Sequence, residues 1–271
     1  DWKHCLFYVL MGVMTDIVVP YQFTQVTPDG SESIQTNIAV EYPVSLTVNG
    51  EIWLTFQCTP QFLEALAVGF LYNEGFIFSL DEVANIHVCD SKDNVDIWLN
   101  HSVKKPLSWK RTSGCHGGTT SMDLDRDNFQ PITHSASSSP QYIFNLVDEF
   151  LTKQPPHSES GGVHTSALAD HGHIHLLLHD IGRHNSFDKI AGFILLEKIR
   201  LENPAILTSG RASSDMLQKT IRMQIPYLIT MRSTSRTGIE LAEEWGITLI
   251  SGARRGRFNI LAHPERIDLS D

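Results

Sequence analysis

The chain is short of cysteine, of charge and of long apolar runs, and each shortage removes a class of protein. Its four cysteines among 271 residues, Cys5, Cys58, Cys89 and Cys115, form no CxxC pair and are too scattered for the disulfide framework of a small secreted domain. They fit a reducing, cytoplasmic setting. The apolar lead from Leu6 to Met14 is nine residues long, too short to span a bilayer. No basic cluster precedes it and no small-residue cleavage site follows, so a signal peptide is not expected. A core strand or packing arm is the default for residues 1–15. There is no Walker motif, no H-x-E with P-C-x-x-C pattern of a zinc deaminase, no internal repeat and no long low-complexity tract. His171, His173 and His175 alternate and would share one strand face. No carboxylate or cysteine at matching spacing completes a metal site there, so a solvated face is expected and no metal.

What is present is an ordinary globular composition, 41% hydrophobic, with 31 acidic against 21 basic side chains and a formal charge of −10. That supports one large or two moderate cores and disfavours a nucleic-acid partner. The charge is uneven. Residues 1–140 hold 16 acids and 7 bases, while Ala205 to His263, with Arg211, Arg232, Arg254, Arg255 and Arg257, holds 8 bases and 4 acids. A basic segment in an acidic chain points to a local anion site.

Two alternating runs around Asn49-Gly50, from Val44 to Phe56, predict a β-hairpin. Thr59-Pro60 then offers a helix N-cap, and Phe62, Leu63, Leu66, Ala67, Phe70 and Leu71 recur at helical spacing until Gly75. Short strands are expected at Ile86–Cys89 and Val95–Leu99, and Ser139-Pro140 opens another helix. Beyond Pro155-Pro156, strand candidates near Val163, Ile174, Ala205, Tyr227, Ile247 and Phe258 alternate with helices at Phe187–Ile199, Ser213–Met223 and Thr237–Trp245. Such an alternation predicts a parallel α/β sheet whose ligands gather outside the carboxyl ends of its strands. Ser209-Gly210-Arg211, Met231 to Ser235 and Gly252 to Arg257 fall on that rim.

Three clusters could carry chemistry. In Lys110-Arg111-Thr112-Ser113-Gly114-Cys115-His116-Gly117-Gly118 a cysteine sits in a glycine-rich loop beside cations that favour thiolate, although a buried, inert thiol is the commoner fate of a lone cysteine. Gly161-Gly162-Val163-His164-Thr165 with Asp180-Ile181-Gly182-Arg183-His184-Asn185 and Asp188-Lys189 is equally consistent with a site and with a capping network using Asn185 or Ser186. Ser209-Gly210-Arg211-Ala212-Ser213 at a strand-to-helix junction, with the arginines at 254, 255 and 257, suits a phosphate or, more blandly, a solvated turn.

Taken in order, Gly161-Gly162-Val163-His164, the Asp180 to Lys189 stretch, Ser209 to Ser213, and Arg257-Phe258-Asn259 leading to His263-Pro264-Glu265-Arg266 resemble the FdhD/NarQ family of formate dehydrogenase accessory sulfurtransferases. The likeness extends from about Glu41 onward, through Glu41-Tyr42-Pro43, Gly69-Phe70-Leu71 and Glu74-Gly75. It implies an α/β chain with a cytidine-deaminase-like three-layer carboxyl-terminal domain, residues 111–271, and a smaller α+β amino-terminal domain, residues 16–110. It also implies a cytoplasmic homodimer that takes sulfur from a cysteine desulfurase as a persulfide on Cys115. The sulfur passes to molybdenum bis(molybdopterin guanine dinucleotide) for formate dehydrogenase, with that cofactor held by Phe258, Asn259, Ile260, Leu261, Ala262 and His263, beside Arg211. Many members have a C-x-x-C pair where this chain has Cys115-His116-Gly117-Gly118, which bears on any relay between two thiols. A non-catalytic chaperone for the same cofactor is the alternative, and a cysteine hydrolase using His164 or His184 a more distant one.

Overall fold

The computed structural model describes residues 17–111, 119–120, 129–133, 137–154 and 162–270; Cys5, Gly161 and the whole of Thr112–Gly118, including Cys115, lie outside them. Strands β1 (Val18–Thr27) and β2 (Gly30–Ala39) form a free-standing antiparallel ribbon. The next strands, β3 (Tyr42–Val48), β4 (Glu51–Cys58), β5 (Val83–Val88) and β6 (Asn94–Leu99), form a four-stranded sheet in the order β4-β3-β6-β5. As the sequence predicts, Asn49 and Gly50 turn β3 into β4, with φ of 49° and 83°, the left-handed pair that a two-residue hairpin needs. One face of this sheet packs on helix α1 (Leu63–Asn73) to make a core of Leu46, Trp53, Leu66, Phe70 and Ile97.

The short strands β7 (Lys110–Arg111) and β8 (Thr119–Thr120) pair antiparallel. Helix α2 (Pro140–Lys153) starts where expected, with Ser139 Oγ accepting the N–H of Tyr142 at 3.2 Å. Then come β9 (His164–Asp170), β10 (His173–Asp180), α3 (Arg183–Leu196), β11 (Ala205–Thr208), α4 (Ser214–Arg222), β12 (Tyr227–Thr230), α5 (Arg236–Trp245), β13 (Thr248–Arg254) and β14 (Arg257–Ala262). They build a six-stranded sheet, β10-β9-β11-β12-β13-β14. Leu176, Phe187, Leu217 and Leu241 pack on one face, under α3, α4 and α5; Ile143, Phe150, Leu207 and Ile250 pack on the other, under α2. No helix among the described residues is long and apolar enough to cross a membrane.

The structure corrects four expectations. The sheet is mixed, because only β11, β12 and β13 run parallel, while β10 pairs antiparallel with β9, β9 with β11, and β14 with β13. The two residues between β9 and β10 leave no room for a crossover helix and force a hairpin. His171 sits in that turn with φ of 49° and not on the strand face with His173 and His175. Thr59 does not cap α1, whose N-cap is Phe62, because its hydroxyl is drawn into a buried ionic seam. Neither Asn185 nor Ser186 caps α3, whose N-cap is Gly182; both lie inside the first turn.

Helices α1 and α3 cross at backbone distance. A Cβ on Gly69 would stand 1.7 Å from the carbonyl oxygen of Asp188, and one on Gly192 would stand 1.9 Å from that of Ala65. Only glycine at both positions allows this approach, and it seats the four-stranded sheet against the six-stranded one.

Candidate functional site

One end of the six-stranded sheet collects the carboxyl ends of β10, β11, β12 and β13 with the amino ends of β9 and β14. Thr208 pairs with Thr230 on one side and Ser166 on the other, Asp180 with His164, and Ser251 with Asn259. Strands β11 and β12 each end in a fully buried threonine whose hydroxyl accepts an N–H two residues on, from Gly210 at 3.1 Å and from Arg232 at 3.0 Å. The Thr230 hydroxyl donates to the Gly210 carbonyl at 2.5 Å, and that of Thr234 to the Ala212 carbonyl at 2.6 Å. A parallel bridge between Ala212 and Thr234 extends the register past the strands. The two loops therefore run side by side with their backbones locked.

Arg211, Arg232 and Arg257 stand exposed on this fixed frame. Arg254 is exposed too, its Nη1 donating to the Met231 and Ala253 carbonyls at 2.5 and 3.1 Å, whereas Arg255 leans toward α2 and donates to Thr152 Oγ1 at 3.2 Å. Helices α4 and α5 start at the same end, each after a serine, Ser213 and Ser235. Their positive amino-terminal poles add to the arginine field. The arrangement suits a phosphate-bearing anion, which cationic forks and helix amides recognise together.

Of the residues singled out for the cofactor, Arg211, Phe258 and Asn259 share this rim. Phe258 packs against Phe144 with ring centroids 4.9 Å apart and planes tilted by 55°, and Asn259 Nδ2 donates to the Ser251 carbonyl at 3.3 Å. Ile260, Leu261 and Ala262 continue down the edge strand, Ile260 packing against the α2 side and Leu261 and Ala262 against the α5 side. His263 lies at the far end. Its Nδ1 meets Glu265 Oε1 at 2.7 Å and its Nε2 the Glu243 carbonyl at 3.0 Å, and the hydrogen bond from His263 holds the Glu265 carboxyl below its usual range. The six residues thus span the length of β14 and do not form one pocket wall.

The Asp180 to Lys189 stretch resolves into a seam beneath the rim. Asp180 and Lys189 are both 0% exposed and meet at 2.6 Å. Asp180 also accepts from the Gly182 N–H at 2.9 Å, Asn185 Nδ2 at 2.9 Å, and the Thr59 N–H and hydroxyl at 3.2 and 3.1 Å. Lys189 donates to Thr59 Oγ1 at 2.9 Å, and Asn185 reaches back to the Gln57 carbonyl at 2.8 Å. A second pair, Asp188 with Lys219 at 2.6 Å, is joined by Asn73 Nδ2 at 2.7 Å. Burial pushes the Asp188 carboxyl up, and Lys219 and Asn73 act against that. Thr59 and Asn73 are the members that sequence reasoning missed, since they lie more than a hundred residues from their partners and leave no local pattern.

Toward the rim, His184 Nε2 stands 3.6 Å from Asp215 Oδ2. Burial pushes this imidazole down to about 4, against the pull of Asp215, so it is neutral near pH 7. The two described cysteines are poor nucleophiles. Cys58 is buried, and desolvation together with Asp180 pushes its thiol up to about 12. Cys89 spends its S–H on Asp93 Oδ1 at 2.9 Å.

Fold and rim together define a class: an α/β protein with a cationic rim at its strand ends and a buried ionic seam joining two sheets. Residues 39–268 match the model of the FdhD/NarQ family, and the chain belongs to that family. It is 32% identical over 232 residues to the sulfur carrier protein FdhD of Staphylococcus aureus strain MRSA252, covering 84% of this chain and 88% of that one. To the sulfur carrier protein FdhD of Staphylococcus haemolyticus it is 31% identical over 245 residues, covering 88% and 93%. A crystal structure from Desulfotalea psychrophila, assigned as a formate dehydrogenase accessory protein, matches with a TM-score of 0.77 at 26% identity, over 93% of this chain and 99% of that one.

Proposed function

We propose that this protein carries sulfur for formate dehydrogenase, with Cys115 as the carrier. The support is membership of a family whose curated relatives are named sulfur carriers, together with the cationic rim. The rim is the observation that carries the ligand half of the reading. The chemical state of Cys58 and Cys89 leaves Cys5 and Cys115 as candidates, and of these only Cys115 sits in a glycine-rich run beside cations.

In this reading the Cys115 thiolate attacks the outer sulfur of a persulfide on a cysteine desulfurase. A new S–S bond forms to Cys115, the donor's S–S bond breaks, and the donor leaves as a thiolate, so no external oxidant or reductant is needed. Lys110, Arg111 or His116 would favour the anionic sulfur. The acceptor is the molybdenum bis(molybdopterin guanine dinucleotide) substrate. Its phosphates match the exposed Arg211 and Arg232 and the helix poles at Ser213 and Ser235, with Phe258 and Asn259 at the near end of the β14 stretch. One cysteine suffices for this transfer, which accommodates Gly118 at the place of a second thiol.

Replacing Cys115 with alanine and following labelled sulfur from cysteine plus desulfurase is the test. The expected result is loss of label from the protein and of its delivery to the cofactor. Undiminished transfer by Cys115→Ala would overturn the reading, and intact mass without an added sulfur would favour a cofactor-binding chaperone.

A further inference from the structure

Three fully buried hydroxyls lie in one row of the six-stranded sheet. Ser166 on β9, Thr208 on β11 and Thr230 on β12 are each 0% exposed and sit side by side beneath the rim loops. One and two residues deeper, the same strands hold Ala167 and Leu168, Leu207 and Ile206, and Ile229 and Leu228. An enclosed hydroxyl costs more than an apolar group of its shape unless it is bonded, so a polar row at this depth needs an account.

The row continues into α3. Ser166 Oγ stands 3.2 Å from Thr208 Oγ1 on one side and 2.8 Å from Ser186 Oγ on the other. Ser186 is also 0% exposed and donates to the Arg183 carbonyl at 2.8 Å. At the rim end Thr208 Oγ1 accepts the N–H of Gly210, the residue before Arg211. An unbroken chain of hydrogen bonds therefore runs from the first turn of α3 to the loop that carries Arg211. Two further contacts tie the same turn to the rim. A Cβ on Gly210 would stand 3.1 Å from both Cβ and Cδ of Arg183, and His184 reaches Asp215 in the first turn of α4. The turn itself is fixed from below, where Asp180 accepts from the Gly182 N–H and Asn185 Nδ2.

We infer that Ser186, Ser166 and Thr208 are positioning residues for anion binding. None of them is exposed to a ligand; together they hold the Gly210–Arg211 loop at a set height on α3, so that Arg211 and the pole of α4 meet a phosphate already oriented. The inference rests on the reading of the rim as the phosphate seat. A loop that must order itself on its ligand loses part of its binding free energy to that ordering, and a loop locked beforehand does not. In a row this enclosed, deleting one hydroxyl leaves its neighbours unpaired and the loop released.

Calorimetry of the full chain with guanosine diphosphate, alongside urea unfolding of each variant, tests this. Thr208→Val keeps the shape and loses the hydroxyl, and is expected to weaken binding about tenfold. Thr208→Ser keeps the hydroxyl, loses a methyl, and binds within about twofold of wild type. Ser186→Ala, two links away from Thr208, weakens binding about fivefold. Added to Arg211→Ala, it weakens binding by less than about twofold more, because it acts through an arginine already gone, whereas independent losses multiply. Were Thr208→Val too unstable to measure, the Ser186 and Arg211 cycle decides alone. A wild type that does not bind the nucleotide overturns the rim reading and this inference with it. Wild-type binding with unchanged affinity in Thr208→Val, a loss in Thr208→Ser equal to that in Thr208→Val, or multiplying Ser186 and Arg211 losses overturns this inference alone.

Discussion

The seam and the rim use the same side-chain chemistry for opposite ends. Both are built on family-like motifs and both centre on cations, yet Lys189 is wholly enclosed and every oxygen around it is engaged, while Arg211 and Arg232 face water on a locked backbone. A buried charge with a full set of partners holds pieces of a chain in one geometry. An exposed one on a rigid frame is available to something else. Chemically suggestive motifs therefore divide by burial, and only the exposed group is a candidate for ligand contact.

The contrast breaks first if the seam tolerates damage. Lys189→Ala leaves Asp180 buried without its counter-charge and is expected to lose about 3–5 kcal/mol in urea unfolding. Arg211→Ala should change stability by less than about 0.5 kcal/mol. Equal losses would erase the distinction.

His184 sharpens it through pH. Its folded pKa of about 4 lies below the ordinary 6.5, so the unfolded chain binds a proton that the folded chain refuses. The stability associated with neutral His184 is intact above pH 6.5 and falls as pH drops toward about 4, by roughly 2–3 kcal/mol. In His184→Gln that part of the slope should vanish from unfolding curves between those limits.

On the rim side, Arg211→Ala should weaken binding of a guanine nucleotide by about tenfold, read by calorimetry, with an unchanged urea midpoint. The smallest effect separates the two helix starts. Ser235 Oγ accepts the Gly238 N–H at 3.1 Å, while Ser213 makes no capping bond. Ser235→Ala should lose about 1 kcal/mol and Ser213→Ala almost nothing.

Much of this was legible beforehand because the signals are local. Asn49-Gly50, Ser139-Pro140 and the strand-to-helix junctions at Ser213 and Ser235 each declare themselves within a few residues, and the positive rim follows from strand order. The seam was not legible as a seam: Asp180 and Asn185 read as possible cap or site until Thr59 and Gln57 arrive from a distant strand. Thr59 misled for the same reason, its hydroxyl being worth more to a buried ion pair than to a helix end. The ribbon was missed although Pro28-Asp29-Gly30 is a turn signal and Val19, Tyr21 and Phe23 alternate, because Pro20 interrupts that run and a proline within a run argues against a strand.

The glycine crossing of α1 and α3 has a mechanical consequence. Where main chain rests on main chain, no rotamer change can take up a displacement, so Gly69 and Gly192 act as a weld between the two sheets. A push delivered to the four-stranded sheet is passed undamped to the α3 end of the seam, and any hinge in this protein has to lie elsewhere than at that crossing.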